Sequence, residues 1–590
     1  MQSRNIAACI INSSDPHLSQ YVADNWKIRE RISGFDGSAG TVVVLPEEAG
    51  LWTDSRYFLQ AEMQLENSGI LLFKNGLPDV PDYCSWIISN SKEGSIVGID
   101  GRLFSTHKVE EMKEKFTAAG LALETDFVLT EALTDAHALT DGVTLSHPVS
   151  NTNTGVFIYD EKFAGISCSE KIKIIRQKIE EAKAGILLLT GLDEIAWTFN
   201  IRGNSVEYNP VTTAYATIAT DSACIFIDDK ELTPEVISYF GQNRIEILPY
   251  LSVFDFLSKL SPEQHILIDK QKVNYALFDA IPKSVSVVAK ESPAGMLKAV
   301  KNETEIEGVR NAVIKDGVAL IRAFYRLEKD LEAGVKVTES SFAEQLKICR
   351  AEQKDFFGES FPAITGYASH GAIVHYTATP ESDAELRPDG LLLVDSGGNY
   401  FDGTTDITRT IALGKATKQQ KTDYTNVLKG HIAIATAIFP EGTHGAQLDA
   451  LARRPLWDNC LNYGHGTGHG VGHFLSVHEG PQNIRTKDNG VELKPGMLLS
   501  NEPGLYRKDE YGIRLENMIL VKEYMETEFG RFFQFETLSL FPFDLQLIEQ
   551  DMLSEKEIKW LNDYHVAVYE KLAPLLSEGE KKWVGRCPQL

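Results

Sequence analysis

The sequence predicts an α/β chain that turns into α+β: two successive α/β domains followed by a longer domain of helices and antiparallel strands. Three observations carry this. Over residues 1–160, strand-like runs at Gly40–Leu45, Ile70–Phe73 and Ile96–Ile99 alternate with amphipathic stretches such as His107–Ala119, as in helices packed on a sheet. The alternation then begins afresh and runs to residue 297. Beyond SPAG (292–295), a long helical stretch is followed by apolar runs that carry acids. At 590 residues the chain is too long for a single core and fits about three domains, with predicted bounds 1–160, 161–297 and 298–590.

The second domain opens with a Lys/Glu-rich helical stretch, Glu170–Ala184. It continues through a strand at Ile186–Thr190, a helical turn at LDEIAWTF, and strands at Ala214–Ala219 and Ala223–Ile227. A polar stretch before it, LSHPVSNTNTGVF (145–157), has linker composition. The similar lengths of the first two domains hint at duplication. In the third, Asn302 can cap a helix with Glu305 three positions on to complete a capping box. Ile306, Val309, Val313, Leu320, Phe324 and Leu327 then recur mostly at three- to four-residue steps, an apolar stripe that should pack on a sheet. The tail from Leu553 to Leu590 reads as helical and charged, a cover or subunit contact.

A formal charge of −25 and a pI near 5.1 argue against nucleic acid and anionic membranes as partners. The seven cysteines are scattered without a CxxC pair, which fits a reducing compartment better than a disulfide framework. The N-terminus has one short apolar patch and then turns polar, unlike a signal peptide. No apolar run of about 18 residues occurs that could span a membrane. The expected location is cytoplasmic.

Chemistry concentrates between Leu391 and Leu520. LLLVDSGGNYFDGTTDITRTIAL contains two apolar runs around a glycine-rich turn, with Asp395 ending the first and Asp406 in the second. This reads as two paired strands. HGTGHGVGHFLSVHEGP follows with His465, His469, His473 and His478; LLSNEPG then supplies Glu502, and YGIRLENMILV supplies Arg514 and Glu516. One acid beside an apolar run is commonly capped or salt-bridged. Four of them would repel one another if they met, unless cations compensated. Two divalent ions would balance four carboxylates, and carboxylates with one imidazole suit Mn²⁺, Co²⁺ or Zn²⁺, the hard oxygens leaning toward Mn²⁺. His465, His469 and His473 share a face at helical spacing, but the glycines between them oppose a helix. An extended strand would also put them on one face, whereas the bland alternative is a glycine-rich turn with solvent-facing histidines.

The order Asp395, Asp406, His469, Glu502, Glu516, in the settings VDSGG, GTTDITRT, HGTGHGVG, NEPG and IRLEN, resembles the pita-bread metallopeptidases. That family includes methionine aminopeptidase, prolidase, creatinase and aminopeptidase P. SGFDGSAGTVVV, WTDSRYFLQAE, LDEIAWTFNIRG and LNDYH extend the resemblance along most of the chain, toward the long, three-domain cytosolic form of Xaa-Pro aminopeptidase. The resemblance implies two creatinase-type N-terminal domains before a pita-bread catalytic domain, with a dinuclear metal centre on the five residues named. It implies that His375 (in GAIVHYTATP) and His478 act near the scissile bond, with His465 beside them in the pocket, and that Arg56 (in WTDSRYF) contacts substrate. Arg514, two positions before Glu516 and so on its face of the strand, would fix a ligand carboxylate. A homodimer is implied by the family alone.

The implied reaction is removal of the first residue from peptides with proline second. A water bridging the two metals loses its proton and attacks the carbonyl, with Glu502 passing that proton to the proline nitrogen. Two other readings stay open. Prolidase shares the metal pattern but takes only Xaa-Pro dipeptides, and some pita-bread domains are binding modules that have lost the ligands. Methionine aminopeptidase lacks the two preceding α/β domains.

Overall fold

The computed structural model describes residues 1, 4–128 and 155–586. They form two compact units, Met1–Lys298 and Ala299–Leu590. The polar stretch 145–157, expected as a linker, lies outside the described residues except for 155–157.

The first unit holds two six-stranded sheets. One is ordered β4-β3-β2-β1-β5-β6: β1 (Ile6–Asn12), β2 (Thr41–Val44), β3 (Ala49–Thr53), β4 (Ile70–Lys74), β5 (Ile96–Gly98) and β6 (Ala122–Glu124). The other is ordered β10-β9-β8-β7-β11-β12: β7 (Ile186–Leu189), β8 (Ala214–Ala219), β9 (Ala223–Ile227), β10 (Glu246–Pro249), β11 (His265–Ile268) and β12 (Ser286–Ala289). In each, the first strand runs antiparallel to the second, the second antiparallel to the third, and the third parallel to the fourth. On the other flank the first, fifth and sixth are mutually parallel. Strand order and strand sense therefore repeat, which gives the hint of duplication a structural basis. Helices α1 (Thr106–Ala118) and α2 (Cys168–Glu181) start on serine caps, Ser105 and Ser167, whose hydroxyls accept backbone N–H groups. Helix α3 (Leu192–Phe199) covers LDEIAWTF. The short apolar patch at the N-terminus is strand β1, buried at the middle of its sheet.

The second unit opens on α4 (Glu303–Glu332), started by the Asn302/Glu305 capping box. All six positions of the predicted stripe are buried in one core cluster. That core also takes in α5 (Glu339–Ala351) and a three-stranded sheet with β14 (Leu391–Ser396) between β13 (Ile364–Tyr367) and β15 (Ile407–Ala412). Helices α6 (Lys418–Ala435) and α7 (Gly445–Trp457) flank β16 (Ile438–Pro440). The larger sheet is ordered β16-β23-β22-β19-β17-β18, with β17 (Gly468–Gly470), β18 (Glu479–Ile484), β19 (Leu498–Asn501), β22 (Asn517–Thr527) and β23 (Gly530–Thr537). Between its strands, β20 (Gly504–Arg507) and β21 (Tyr511–Arg514) pair as a hairpin.

The tail forms α8 (Glu555–Leu572) and α9 (Glu578–Val584). Leu561, Tyr564, Val568, Leu572 and Val584 belong to the same core as α4, so the tail is a built-in wall and not only a cover. Phe324 on α4 packs between α5 and the segment before the tail, its ring centroid 5.2 Å from Phe342 and 4.8 Å from Phe541. Phe324→Ala should therefore destabilise this unit by about 3–5 kcal/mol. The measurement is the thermal midpoint of the unit's unfolding transition, and an unchanged midpoint would contradict the packing account.

Candidate metal centre

The four acids reach the site from strand ends. Asp395 is the penultimate residue of β14, opposite Thr408 on β15, while Asp406 stands one residue before β15. Asn501 and Asn517 face each other as the last pair between β19 and β22, so Glu502 and Glu516 each lie one residue beyond that pair. Side chains at chain breaks can turn inward where strand residues must alternate. Backbone bonds fix both positions, Glu516 N–H to the Thr408 carbonyl at 3.0 Å and Glu502 N–H to the Thr467 carbonyl at 2.7 Å. Arg514 and Glu516, expected on one face of one strand, are instead divided by the break after β21. Thr408 rejoins them by accepting from Arg514 Nε at 3.2 Å and donating to Glu516 Oε2 at 2.7 Å.

The histidine run is neither a helix nor one strand. Only Gly468–Gly470 is extended, with His469 at its centre. Its flanking glycines are there for close approach: a Cβ at Gly468 would stand 2.0 Å from the Ser500 carbonyl oxygen, and one at Gly470 2.4 Å from that of Glu479. This removes the alternative of a solvent-facing turn. His469 Nε2 lies 3.4 Å from Asp406 Oδ2 and 3.4 Å from Glu502 Oε1. His478 packs edge-on against the His469 ring at 4.4 Å between centroids. His465 sits before the strand, its Nε2 2.8 Å from the Tyr506 hydroxyl. His473 is buried, close enough to Gly308 that a Cβ there would meet its Nε2 at 2.9 Å. His375 precedes Tyr376, which packs in a small cluster with Ile364, the residue opposite Asp395. Arg56 belongs to the first unit, where Asp54 accepts from its Nε at 2.8 Å and its Nη2 at 2.7 Å.

Asp406, His469 and Glu516 offer ligand atoms that all lie within 4.8 Å of one another. Asp395 Oδ1 and Glu516 Oε1 are buried without a hydrogen-bond partner among the described residues, an arrangement that is costly unless a cation fills it. The electrostatics agree. Burial, then the charges of Asp406, Glu502 and Asp395, hold the Glu516 carboxyl well above the usual range. Glu502 is pushed up to about 7 by burial, against the pull of His469 and with the push of Asp406. Burial also raises Asp395, with Arg514 opposing. Burial would lower His469, but its bond to Asp406 and the Glu502 charge raise it to about 9. The five residues fit divalent ions, with oxygen donors and one imidazole.

Arg514, expected to hold a carboxylate of the site, donates Nη2 to Asp395 Oδ2 at 2.6 Å and Nη1 to the Tyr506 hydroxyl at 2.8 Å, so one guanidinium braces Asp395, Thr408 and Tyr506. Sequence reasoning missed the other supports. Ser500 Oγ accepts from His469 N–H at 3.0 Å and reaches Glu502 Oε1 at 3.2 Å. On α7, the buried Asp449–Arg453 pair holds the loop ahead of His469 through Thr467 Oγ1 (2.6 Å) and the His465 carbonyl (2.7 Å). Thr408 was legible from its spacing of two from Asp406 in a strand; the others had no signal in the sequence.

These pKa directions set the pH behaviour of the metal-free protein. Acids raised in the fold cost stability once pH passes the unfolded carboxylate range, and the raised His469 loses its contribution as pH climbs from about 6.5 through 9. Cations that neutralise the cluster cancel that loss. The gain in thermal midpoint on adding Mn²⁺ to chelated protein should therefore be larger at about pH 7.5 than at pH 5; an equal or smaller gain would contradict the electrostatic account.

A model of metallopeptidase family M24 matches residues 307–523, and one of the C-terminal region of that peptidase matches 531–588. Models of the creatinase/prolidase N-terminal domain match 1–128 and 147–305. A probable Xaa-Pro aminopeptidase P of Laccaria bicolor is 40% identical over 598 residues, covering 99% of this chain and 91% of its own. Aminopeptidase P2 of Arabidopsis thaliana is 38% identical over 605 residues, covering 97% and 85%. Among solved structures, an X-prolyl aminopeptidase from Caenorhabditis elegans, a cytosolic enzyme with a di-nuclear active site, superposes with a TM-score of 0.93 at 33% identity over 99% of this chain and 95% of that one. An Xaa-Pro dipeptidase from Bacillus anthracis superposes with a TM-score of 0.51 at 22% identity, covering 64% of this chain and 99% of that one, which shows a shared fold alone. The chain belongs to metallopeptidase family M24, with creatinase/prolidase-type N-terminal domains ahead of its peptidase domain.

Proposed function

We propose that the protein is a metal-dependent aminopeptidase that releases the first residue of peptides with proline in second position. The observation that carries this is the meeting of Asp406, His469 and Glu516 within 4.8 Å, in a chain similar from end to end to an X-prolyl aminopeptidase. Prolidase is the weaker reading, because the dipeptidase likeness extends to the fold only. The binding-module reading has no support, since all five residues of the ligand pattern are present.

Asp395, Asp406, His469, Glu502 and Glu516 would hold two divalent ions, with Mn²⁺ favoured by the oxygen-rich donor set and Co²⁺ or Zn²⁺ open. When bound, such ions supply Lewis acidity toward the scissile carbonyl and lower the pKa of a water molecule. The chain's own residues do the rest. Glu502, whose Oε1 is shared between Ser500 and His469, takes the proton of the attacking water and delivers it to the proline nitrogen as the C–N bond breaks. An Xaa–Pro bond is a tertiary amide, so this delivered proton is what makes the nitrogen a leaving group. His478, held edge-on to His469, and His375 donate hydrogen bonds to the carbonyl oxygen as it gains charge. His465, tied to Tyr506, lines the substrate pocket. We further propose the division 1–160, 161–297 and 298–590, with one of the two repeated sheets assigned to each of the first two domains. A homodimer and a cytoplasmic location complete the reading, the latter in keeping with the cytosolic relative. Among the described residues no helix is long and apolar enough to cross a membrane.

An Xaa-Pro-Yaa tripeptide should be cleaved to release its first residue, with activity lost on chelation and restored by Mn²⁺. Cleavage of an Xaa-Pro dipeptide alone would move the assignment to prolidase. Glu502→Gln should lower kcat by roughly 10²–10⁴-fold in metal-loaded protein, and near-normal turnover would remove Glu502 from the mechanism.

A further inference from the structure

Directly behind the acid cluster lies a second polar cluster that the reaction does not use. Arg409, on β15 three residues after Asp406, is buried, and among the described residues none of its hydrogen bonds goes to a carboxylate. Its Nη1 donates to the Thr408 carbonyl at 2.9 Å and to the Glu516 carbonyl at 2.5 Å. Its Nη2 donates to Asn517 Oδ1 at 2.8 Å and to the Tyr564 hydroxyl at 2.8 Å. Tyr564, on tail helix α8, also lies 2.9 Å from the carbonyls of Ser539 and Phe541. The other end of the Asn517 amide donates to His431 Nε2 at 3.2 Å. The His431 Nδ1–H donates to the Leu515 carbonyl at 3.1 Å, and its own backbone carbonyl accepts from Asn501 Nδ2 at 2.9 Å.

These contacts have one common object. Leu515, Glu516 and Asn517 span the break after β21, and Asn501 immediately precedes Glu502. Arg409, Asn517 and His431 therefore each grip backbone or an amide next to Glu502 or Glu516 without reaching a carboxylate oxygen, while the remaining bonds tie Arg409 and Tyr564 to the carbonyls of Ser539, Phe541 and Pro542. A buried arginine is expensive to desolvate, and here it holds Glu516–Asn517 directly, while the Asn501–Glu502 segment is reached only through Asn517 and His431.

We infer that Tyr564, Arg409, Asn517 and His431 form a positioning set through which the C-terminal helix holds the Glu502 and Glu516 carboxylates in ligating geometry. The inference rests on the reading of those two residues as metal ligands. It gives the C-terminal region a part in metal binding, beyond its share of the core.

The test compares Tyr564→Phe with Val568→Ala, a buried core residue one turn along the same helix that makes none of these hydrogen bonds, and with Glu516→Gln. Each protein is chelated and titrated with Co²⁺, following calorimetric affinity and the visible absorption of the bound ion. Tyr564→Phe should weaken Co²⁺ binding about tenfold, as loss of a residue supporting a ligand does, and alter the absorption bands. Val568→Ala should lower the thermal midpoint and leave both readouts at wild type. Wild-type affinity and bands in Tyr564→Phe, with Glu516→Gln impaired, would overturn the inference alone. Equal changes in Val568→Ala would overturn it in favour of general destabilisation. Unimpaired binding by Glu516→Gln would overturn the ligand reading and this inference with it.

Discussion

Four carboxylates brought into one buried space repel one another, and much of the second unit is arranged around containing that repulsion. Arg514 offsets the charge of Asp395 and, through Thr408, steadies Glu516. The imidazole of His469, raised toward its charged form, sits between Asp406 and Glu502. What these two cations leave over is visible in buried oxygens without partners and in carboxyls held above their ordinary range. A fold that selects against unpaired buried charge keeps such a cluster only where another cation completes it.

The same constraint explains where the ligands stand. A residue inside a ladder has its direction fixed by the pleat, whereas one just past the last pair has more freedom to turn. Glu502 and Glu516 lie one step beyond the Asn501–Asn517 pair and Asp406 one step before β15, so several short chain breaks converge and must be held. Glycine lets the backbones come close enough, most clearly at Gly468 against Ser500. Buried side-chain amides, hydroxyls and arginines then satisfy backbone groups that the interrupted ladders leave open.

The first unit shows a different economy. Its two sheets repeat strand order and strand sense while sharing little sequence, since the layout of each depends on apolar alternation and many sequences meet that requirement. Strands, helices and the capping box at Asn302 were legible because local chemistry decides them. Strand β1 was not, because a short apolar patch near a chain end has no periodicity of its own to distinguish it. The tail was read as helical correctly, but nothing local revealed that Tyr564 would reach Arg409.

The sequence by itself determined the residue types at the site and their order along the chain. A buried acid is costly enough that four beside apolar runs, with one histidine motif, already narrow the chemistry to divalent metal. Local periodicity and capping likewise settled most elements, being interactions between near neighbours. Only the packed fold settled how Thr408 rejoins Arg514 to Glu516 and what stands behind the acids. Most of those contacts link residues more than 80 positions apart, such as Arg409 with Glu516 and Asn517 with His431, and only the packed strands and helices bring them within hydrogen-bonding reach.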